Sequence, residues 1–362
     1  MKTLNFRWGS LAPDTHLEVF GHVFNVHSVA LQAHSEFFRA FLDPEKAPHR
    51  YGSKVDQDGT WGLQPLNTID KDEQAAVSHA VDTQLETSAF RLFLKALYGQ
   101  PYNIDSTKPL QALVRLADFY GALRAVRISV QYNILRKSDA SKYFSTCCYR
   151  ILEVATILRS PSLFREAFVH AVGQWNPDLP NFHAYLEPNL RTLITRHHSL
   201  NCMKLPTVLW YLLCMASGDS VDNEFDPHDS EILREALADG FYDFCDSDEC
   251  IEKSAKAISL WEKAPFFRSI YNYQFEGGRN RTIGHKNTAE KVDKLLRPLM
   301  RNNLTFHARE DEVLEYPYFL FVEISDEDLP WNAAVGKVTT GNTAEDSFAD
   351  HNALIEGGVE SE

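Results

Sequence analysis

Two hydrophobic periods divide the chain. Near the N-terminus Leu17 to Phe20 and Val23 to Val26 form two short runs of alternating character, separated by Gly21-His22. A two-residue turn with glycine first suits the type II′ geometry of a hairpin. Pairing across it sets Val19 against Phe24 and Leu17 against Val26, so these four share one sheet face and Glu18 and Asn25 take the other. Ser28 and Ser35 stand where helix N-caps belong, before VALQAH and EFFRAFL, which predicts two short helices directly after the hairpin. The pattern then weakens through DPEKAPHRYGSKVDQDGTWGLQPLNTIDKDEQ, read as a long surface insertion over about 43–85 with one strand near Trp61 to Leu66.

Helical periodicity returns at Phe90, Phe93, Leu94, Leu97 and Tyr98, ending at Gly99. Leu110, Leu113, Val114 and Ala117 mark a second helix, and Leu123, Val126, Val130 and Ile134 a third, with Gly121 at the join. From about Ala140 the pattern is almost wholly helical. It comprises the stripe Phe164, Ala167, Phe168, Ala171 and Trp175, then Leu205–Ser217, Ile232–Leu237, Ile251–Trp261 and KNTAEKVDKLLRPLM, stopped or kinked near Pro298. YFLFVEI reads as a short strand. No repeat of solenoid or propeller period is found.

The length of 362 residues predicts two or three domains. Hydrophobic residues make up 44% and aromatics 12%, ample for a globular core. The formal charge is −14, of which Glu323–Glu362 carries −9, so the body is mildly acidic and the segment 326–362 reads as an acidic disordered tail. An acidic body opposes a nucleic-acid groove, which needs a basic stripe. The first residues lack the apolar stretch of a secretory signal, and LPTVLWYLLCMAS is too short to span a membrane, so it is read as a buried helix. A cytoplasmic or nuclear chain is expected, with its six cysteines reduced and mostly buried and the N-x-T tripeptides at Asn280 and Asn303 unused.

No arrangement carries chemistry. The cysteines show no CxxC or Cys/His zinc spacing. ASGDS lacks the glycine of a nucleophile elbow, EGGRNR lacks the GK[ST] of a phosphate loop, and the acidic stretches DNEFDPHDSE and DFCDSDECIE lack the glycine and glutamate of a calcium loop. His27 and His34 lie two helical turns apart, with His27 at a strand-to-helix corner, and neither is expected to be catalytic or a metal ligand. His197-His198 is read as solvated, the Phe164 to Trp175 stripe as core, and the aromatic APFFRSIYNYQF as buried in preference to an exposed anchor surface. No catalytic residue, cofactor or metal is expected.

The hairpin LEVFGHVFNVHSVALQAHSEFFRAFL, then AFRLFLKALYGQPYNI, then LVRLADFYGALRAV resemble the BTB/POZ domain family in the order of sheet, helical hairpin, third helix and closing pair. DGTWGL and ILRSPSLFREAFVHAVGQW extend the resemblance to a group of fungal BTB proteins. The resemblance implies an α+β fold: an N-terminal arm (1–13), a BTB/POZ domain over 14–137 and an all-α region over 138–325. It also implies a structural, hydrogen-bonding role for the corner histidine, His27, and a non-enzymatic interaction protein. BTB domains homodimerise through an N-terminal segment and the first helices, which here places Asp14, Val29, Leu31 and Ala33 at a dimer surface. Many bind a cullin as ubiquitin-ligase adaptors, which would use Phe38, Phe41, Leu42, Tyr98 and Tyr102. Two features depart from the adaptor pattern: Leu42-Asp43-Pro44-Glu45 is one residue too long for the apolar-x-Glu motif, and no recognisable substrate-recruiting module follows. The leading expectation is therefore a self-associating scaffold whose helical region holds a further protein, with cullin adaptor as the alternative.

Overall fold

The computed structural model describes residues 2–42, 48–68, 81–137, 139–176, 186–217, 227–245, 264–275, 286–306 and 316–332. The described residues up to Ile324 belong to one compact unit and those from Ser325 to a second. The fold is mixed α+β. Five strands, β1 (Lys2–Asn5), β2 (Thr15–Val19), β3 (His22–Val26), β4 (His49–Val55) and β5 (Trp61–Pro65), form one sheet in the order β1-β3-β2-β4-β5. The pairs β2/β3 and β4/β5 are antiparallel, whereas β1/β3 and β2/β4 are parallel.

The hairpin forms with its predicted face and a shifted register. Leu17 pairs Phe24 and Val19 pairs His22, leaving Phe20-Gly21 as the loop. Both loop residues have positive φ, 44° and 78°, the type I′ turn whose twist matches the strands. A shift of two residues preserves the face, so Leu17, Val19, Phe24 and Val26 are all fully buried as expected. Phe20 tolerates its left-handed backbone because its N–H donates to Ser53 Oγ (3.1 Å) and its ring meets Trp61 edge-on at 5.1 Å.

Part of the expected surface insertion is sheet. Strand β4 was concealed because two of the side chains it turns inward, His49 and Ser53, are polar. The strand expected near Trp61 to Leu66 is β5, pinned by Trp61 Nε1 donating to Glu86 Oε2 at 2.9 Å, and Glu86 in turn pairs with Arg115.

The described helices are α1 (Ser28–His34), α2 (Glu36–Phe41), α3 (Thr83–Leu97), α4 (Thr107–Phe119), α5 (Leu123–Leu135), α6 (Ala140–Leu158), α7 (Pro161–Gly173), α8 (Pro188–Ser217), α9 (Pro227–Cys245), α10 (Ala264–Phe275) and α11 (Lys286–Leu296). The three helices predicted between Phe90 and Ile134 are α3, α4 and α5; Gly99 and Gly121 end the first two with φ of 61° and 59°. The core between sheet and helices is aromatic. Phe24 meets Phe90 at 5.5 Å, Phe90 meets Trp61 at 5.8 Å, and Tyr120 stacks on Phe38 at 5.2 Å.

The predicted join near residue 137 lies inside the first compact unit, where α6 packs on α4 and α5. The stripe Phe164, Phe168, Ala171 and Trp175 is core, as are Phe266, Phe267 and Ile270 of α10. Three expectations are corrected. YFLFVEI pairs into no strand; it is an irregular segment whose residues Tyr318–Val322 are buried, held by Asn303 donating its N–H to the Leu320 carbonyl and by Arg268 donating to the Tyr318 carbonyl. His197-His198 is not fully solvated: His198 is buried and bonds the Val172 carbonyl through Nδ1 (3.1 Å), and the half-buried His197 packs its ring edge-on with Phe168. LPTVLWYLLCMAS is only half buried, since Leu205, Val208 and Leu212 face the core while Trp210, Tyr211 and Leu213 are exposed. Cys148 is buried, and Cys147, Cys202 and Cys214 are partly so; all four are free thiols. Of the tail expected to be disordered, residues 326–332 form turns in which Asn332 donates its N–H to the Leu329 carbonyl at 2.8 Å and its Nδ2 hydrogen to the Asp326 carbonyl at 2.9 Å. The predicted helix Ile251–Trp261 lies outside the described residues. No helix among the described residues is long and apolar enough to cross a membrane.

A buried carboxylate ties the chain's later part to its middle. Glu166 Oε2 on α7 accepts the N–H groups of Thr305 (2.6 Å) and Phe306 (3.0 Å). Burial pushes this carboxyl up to about 7, against the opposing pull of the two N–H groups. A group with a raised folded-state pKa contributes stability that is complete below its unfolded value and is lost as pH rises through the folded one. Stability should therefore fall between about pH 5 and 8 by an amount of order 2–3 kcal/mol attributable to Glu166. Glu166→Gln keeps an oxygen for both N–H groups and should flatten that part of the profile, measured by urea unfolding of both proteins across the range.

Candidate functional site

The outward side of α1 and the corner beneath it form the candidate site. α1 is short, and its two ends are secured from distant parts of the chain. At the N-terminal end Ser28 is not the cap that its position suggests. Its N–H (2.7 Å) and hydroxyl (2.5 Å) both donate to the Asp14 carboxylate. Asp14, the residue before β2, thereby supplies the anion that a helix N-terminus attracts. Burial alone would raise its pKa, but the hydrogen bonds from Ser28 and Thr15 outweigh that and hold the carboxyl below its usual value. At the C-terminal end Ser35 donates its hydroxyl to the Tyr120 carbonyl and also caps α2, its Oγ accepting the Phe38 N–H at 3.1 Å.

His27 occupies the corner between β3 and α1. Its Nε2 lies 3.0 Å from the Leu11 carbonyl and its Nδ1 2.9 Å from Tyr98 Oη, which also accepts the His27 N–H at 2.8 Å. A carbonyl only accepts, so Nε2 carries the proton and Nδ1 accepts from the Tyr98 hydroxyl. Every polar atom of the ring is thus engaged in joining the N-terminal arm, α1 and the end of α3. Phe6 and Trp8 close over Tyr98 at 5.0 and 5.5 Å, and burial raises the phenol to about 12.

Above this corner α1 turns Val29 (49% exposed) and Ala33 to solvent, with Leu11 of the arm also exposed. Of the residues expected at a dimer surface, these two are available to a partner. Leu31 is fully buried in the chain's own core, and Asp14 is committed to Ser28.

The residues expected to face a cullin are not brought together. Phe38 and Leu42 are core. Tyr98 belongs to the His27 corner, and Tyr102 is buried with its N–H bonded to Asn133 Oδ1 on α5 (3.0 Å). Phe41, like Tyr98, is partly accessible. It belongs to an aromatic cluster with Phe37 (4.8 Å) and Tyr51 (4.6 Å), and Phe37 extends it to Phe119, which is 47% exposed. Phe37 and Phe119 escaped the sequence reading because each stands next to a core aromatic, Phe38 and Tyr120; helical spacing identifies the buried member and leaves its neighbour at the rim.

A cavity of about 320 Å³ lies between α4, α6 and the start of α8, with Val114, Val154 and Leu190 as apolar walls and Gln111 and Glu153, which bond each other at 3.1 Å, on its lining. Comparison with protein-family models, curated proteins and solved structures finds no match to the chain. Among the described residues no group of three or more His, Cys, Asp or Glu side chains is placed to hold a metal.

Asp14→Ala should lower stability by about 1–2 kcal/mol, the usual cost of removing a helix cap. Because Asp14 is depressed in the fold, its contribution is present above the ordinary carboxylate range and lost as pH falls through the lowered value. The difference between wild type and variant in urea unfolding should therefore shrink toward pH 2.

Proposed function

We propose that the chain is a protein–protein interaction module of the BTB/POZ type, self-associating through the α1 face and N-terminal arm and holding another protein with the helices that follow α5. The observation that carries this reading is the pairing of a rigid corner with an exposed apolar helix face. His27, Tyr98 and Asp14 fix α1, while Val29 and Ala33 remain in solvent. The element order also supports it: hairpin, α1/α2, α3, then the α4/α5 pair, with the residues HVFNVHS at the corner. In this reading β4 and β5 complete the sheet of a BTB-type domain, and α6–α11 form an all-α extension of it.

Placing a charge on the α1 face tests self-association. Val29→Asp should remain folded, because the side chain is half in water, and should run as a monomer in light scattering where the wild type runs as a dimer. Equal masses for the two proteins would remove α1 from any interface.

A second reading, a cullin-linked adaptor, has one observation in its favour: the accessible rings of Phe37, Phe41 and Phe119 offer aromatic anchors of the kind that dominate interfaces. Titration calorimetry with the N-terminal domain of the BTB-binding cullin tests it. Binding tighter than about 1 μM, weakened by Phe119→Ala, would establish the adaptor; no heat at tens of micromolar would leave the scaffold reading alone.

A further inference from the structure

The outer face of α5 carries an apolar stripe edged with uncompensated positive charge. Val126, Val130 and Ile134 turn inward and are fully buried. Opposite them Ile128, Tyr132 and Leu135, at helical offsets 0, 4 and 7, are 62%, 54% and 41% exposed. Such a run of three large apolar side chains covers about 10 Å of helix. Arg124 precedes it by one turn, Arg127 stands beside it and Arg136 follows.

The arginines are not neutralised within the fold. Arg136 lies over the Tyr132 ring at 5.2 Å and donates to the Tyr132 hydroxyl at 2.9 Å, which holds both side chains in place on the surface. Arg127 donates to the Arg159 carbonyl at 3.3 Å, and among the described residues none of the three forms an ion pair. No Asp or Glu occurs between Leu123 and Leu135, in a chain whose net charge is −14.

We propose that this face binds an acidic amphipathic helix of a partner protein. The partner's apolar residues would lie over Ile128, Tyr132 and Leu135, and its Asp and Glu side chains would meet Arg124, Arg127 and Arg136. Tyr and Arg are the residue types enriched where interfaces concentrate their energy. A polyanion such as nucleic acid fits less well, because the surrounding body is acidic and three arginines make a short track. A membrane surface fits less well because the apolar strip is only about two turns long. This inference is independent of self-association through α1.

The test uses the full chain and a labelled helical peptide of about 18 residues, five turns, with a leucine stripe flanked by glutamates. A control peptide has lysine at each glutamate position. Fluorescence anisotropy should show saturable binding of the glutamate peptide at tens of micromolar, weakening as salt is raised, and none of the lysine peptide. Ile128→Asp and the double variant Arg124→Glu/Arg136→Glu should each weaken binding by about tenfold or more. All three positions are on the surface, and unchanged circular dichroism would verify the fold; if Ile128→Asp unfolds, the double arginine variant carries the test. Absence of glutamate-peptide binding, equal binding of the lysine peptide, or indifference to the arginine variant would each overturn the proposal. So would loss of self-association in Ile128→Asp, or binding of phosphatidylserine vesicles or duplex DNA, in place of the peptide, that depends on the same arginines.

Discussion

The structure of the first compact unit depends on one knot, where the α1/α2 corner meets the α4/α5 join. Ser35 Oγ donates to the Tyr120 carbonyl and accepts the Phe38 N–H, the Glu36 N–H bonds the Gly121 carbonyl at 3.2 Å, and the Tyr120 ring stacks on Phe38. About 85 residues separate the two partners. The backbone approach is so close that a Cβ on Gly121 would lie 3.0 Å from Glu36 Cβ, at a φ of 59° that side chains disfavour. Because four of the contacting groups are main-chain atoms, the knot fixes helix positions as well as side-chain packing. The sheet's aromatic layer is built outward from it through Phe90, Phe93 and Trp61.

The same physical solution recurs where distant segments meet: a buried or half-buried polar side chain satisfies main-chain groups that no secondary structure serves. Asp14 does this for the start of α1, Asn133 for Tyr102, Glu166 for Thr305 and Phe306, and Arg268 for the carbonyls of Tyr316 and Tyr318. Unpaired main-chain groups are costly in a dry interior, so each such side chain stabilises one register of the segment it holds. The closeness of that packing shows at Gly173, where a Cβ would lie 2.3 Å from the Tyr318 ring. Around it His170 Nδ1 and Gln174 Nε2 both reach Tyr318 Oη, at 2.8 and 2.9 Å, joining α7 to the irregular segment that stands where a strand was expected.

Legibility followed from whether a feature was local. The hairpin face, α3–α5 and the α7 stripe were readable because on each of them a set of buried apolar residues recurs at a period of two or 3.6. The hairpin register was misplaced by two because Phe20, not glycine, takes the first left-handed position, a choice stabilised by Ser53 and Trp61 from strands far along the chain. Strand β4 was missed because its inward His49 and Ser53 do not look apolar. His197 and His198 looked solvated because the groups that cover them, wholly for His198 and in part for His197, lie on another helix. In the candidate site, the placement of His27 at a strand-to-helix corner was legible and Val29 and Ala33 are exposed, whereas Leu31, Phe38, Leu42 and Tyr102 proved to be core. Composition marks such residues as hydrophobic and does not tell an interior from an interface.

The sequence by itself determined an acidic α+β chain, its principal helices, the hydrophobic face of the N-terminal hairpin and the corner at His27, because each is specified by neighbours within a few residues. Only the tertiary structure decided the strand order β1-β3-β2-β4-β5, the capping of α1 by Asp14, the docking of α6 on α4 and α5, and which arginines and aromatics remain in water on α5, α8 and the rim of α2. Those outcomes depend on pairings between residues tens to more than a hundred positions apart. Such pairings are set by the balance of burial and hydrogen-bond satisfaction over the whole packed unit, which no local pattern encodes.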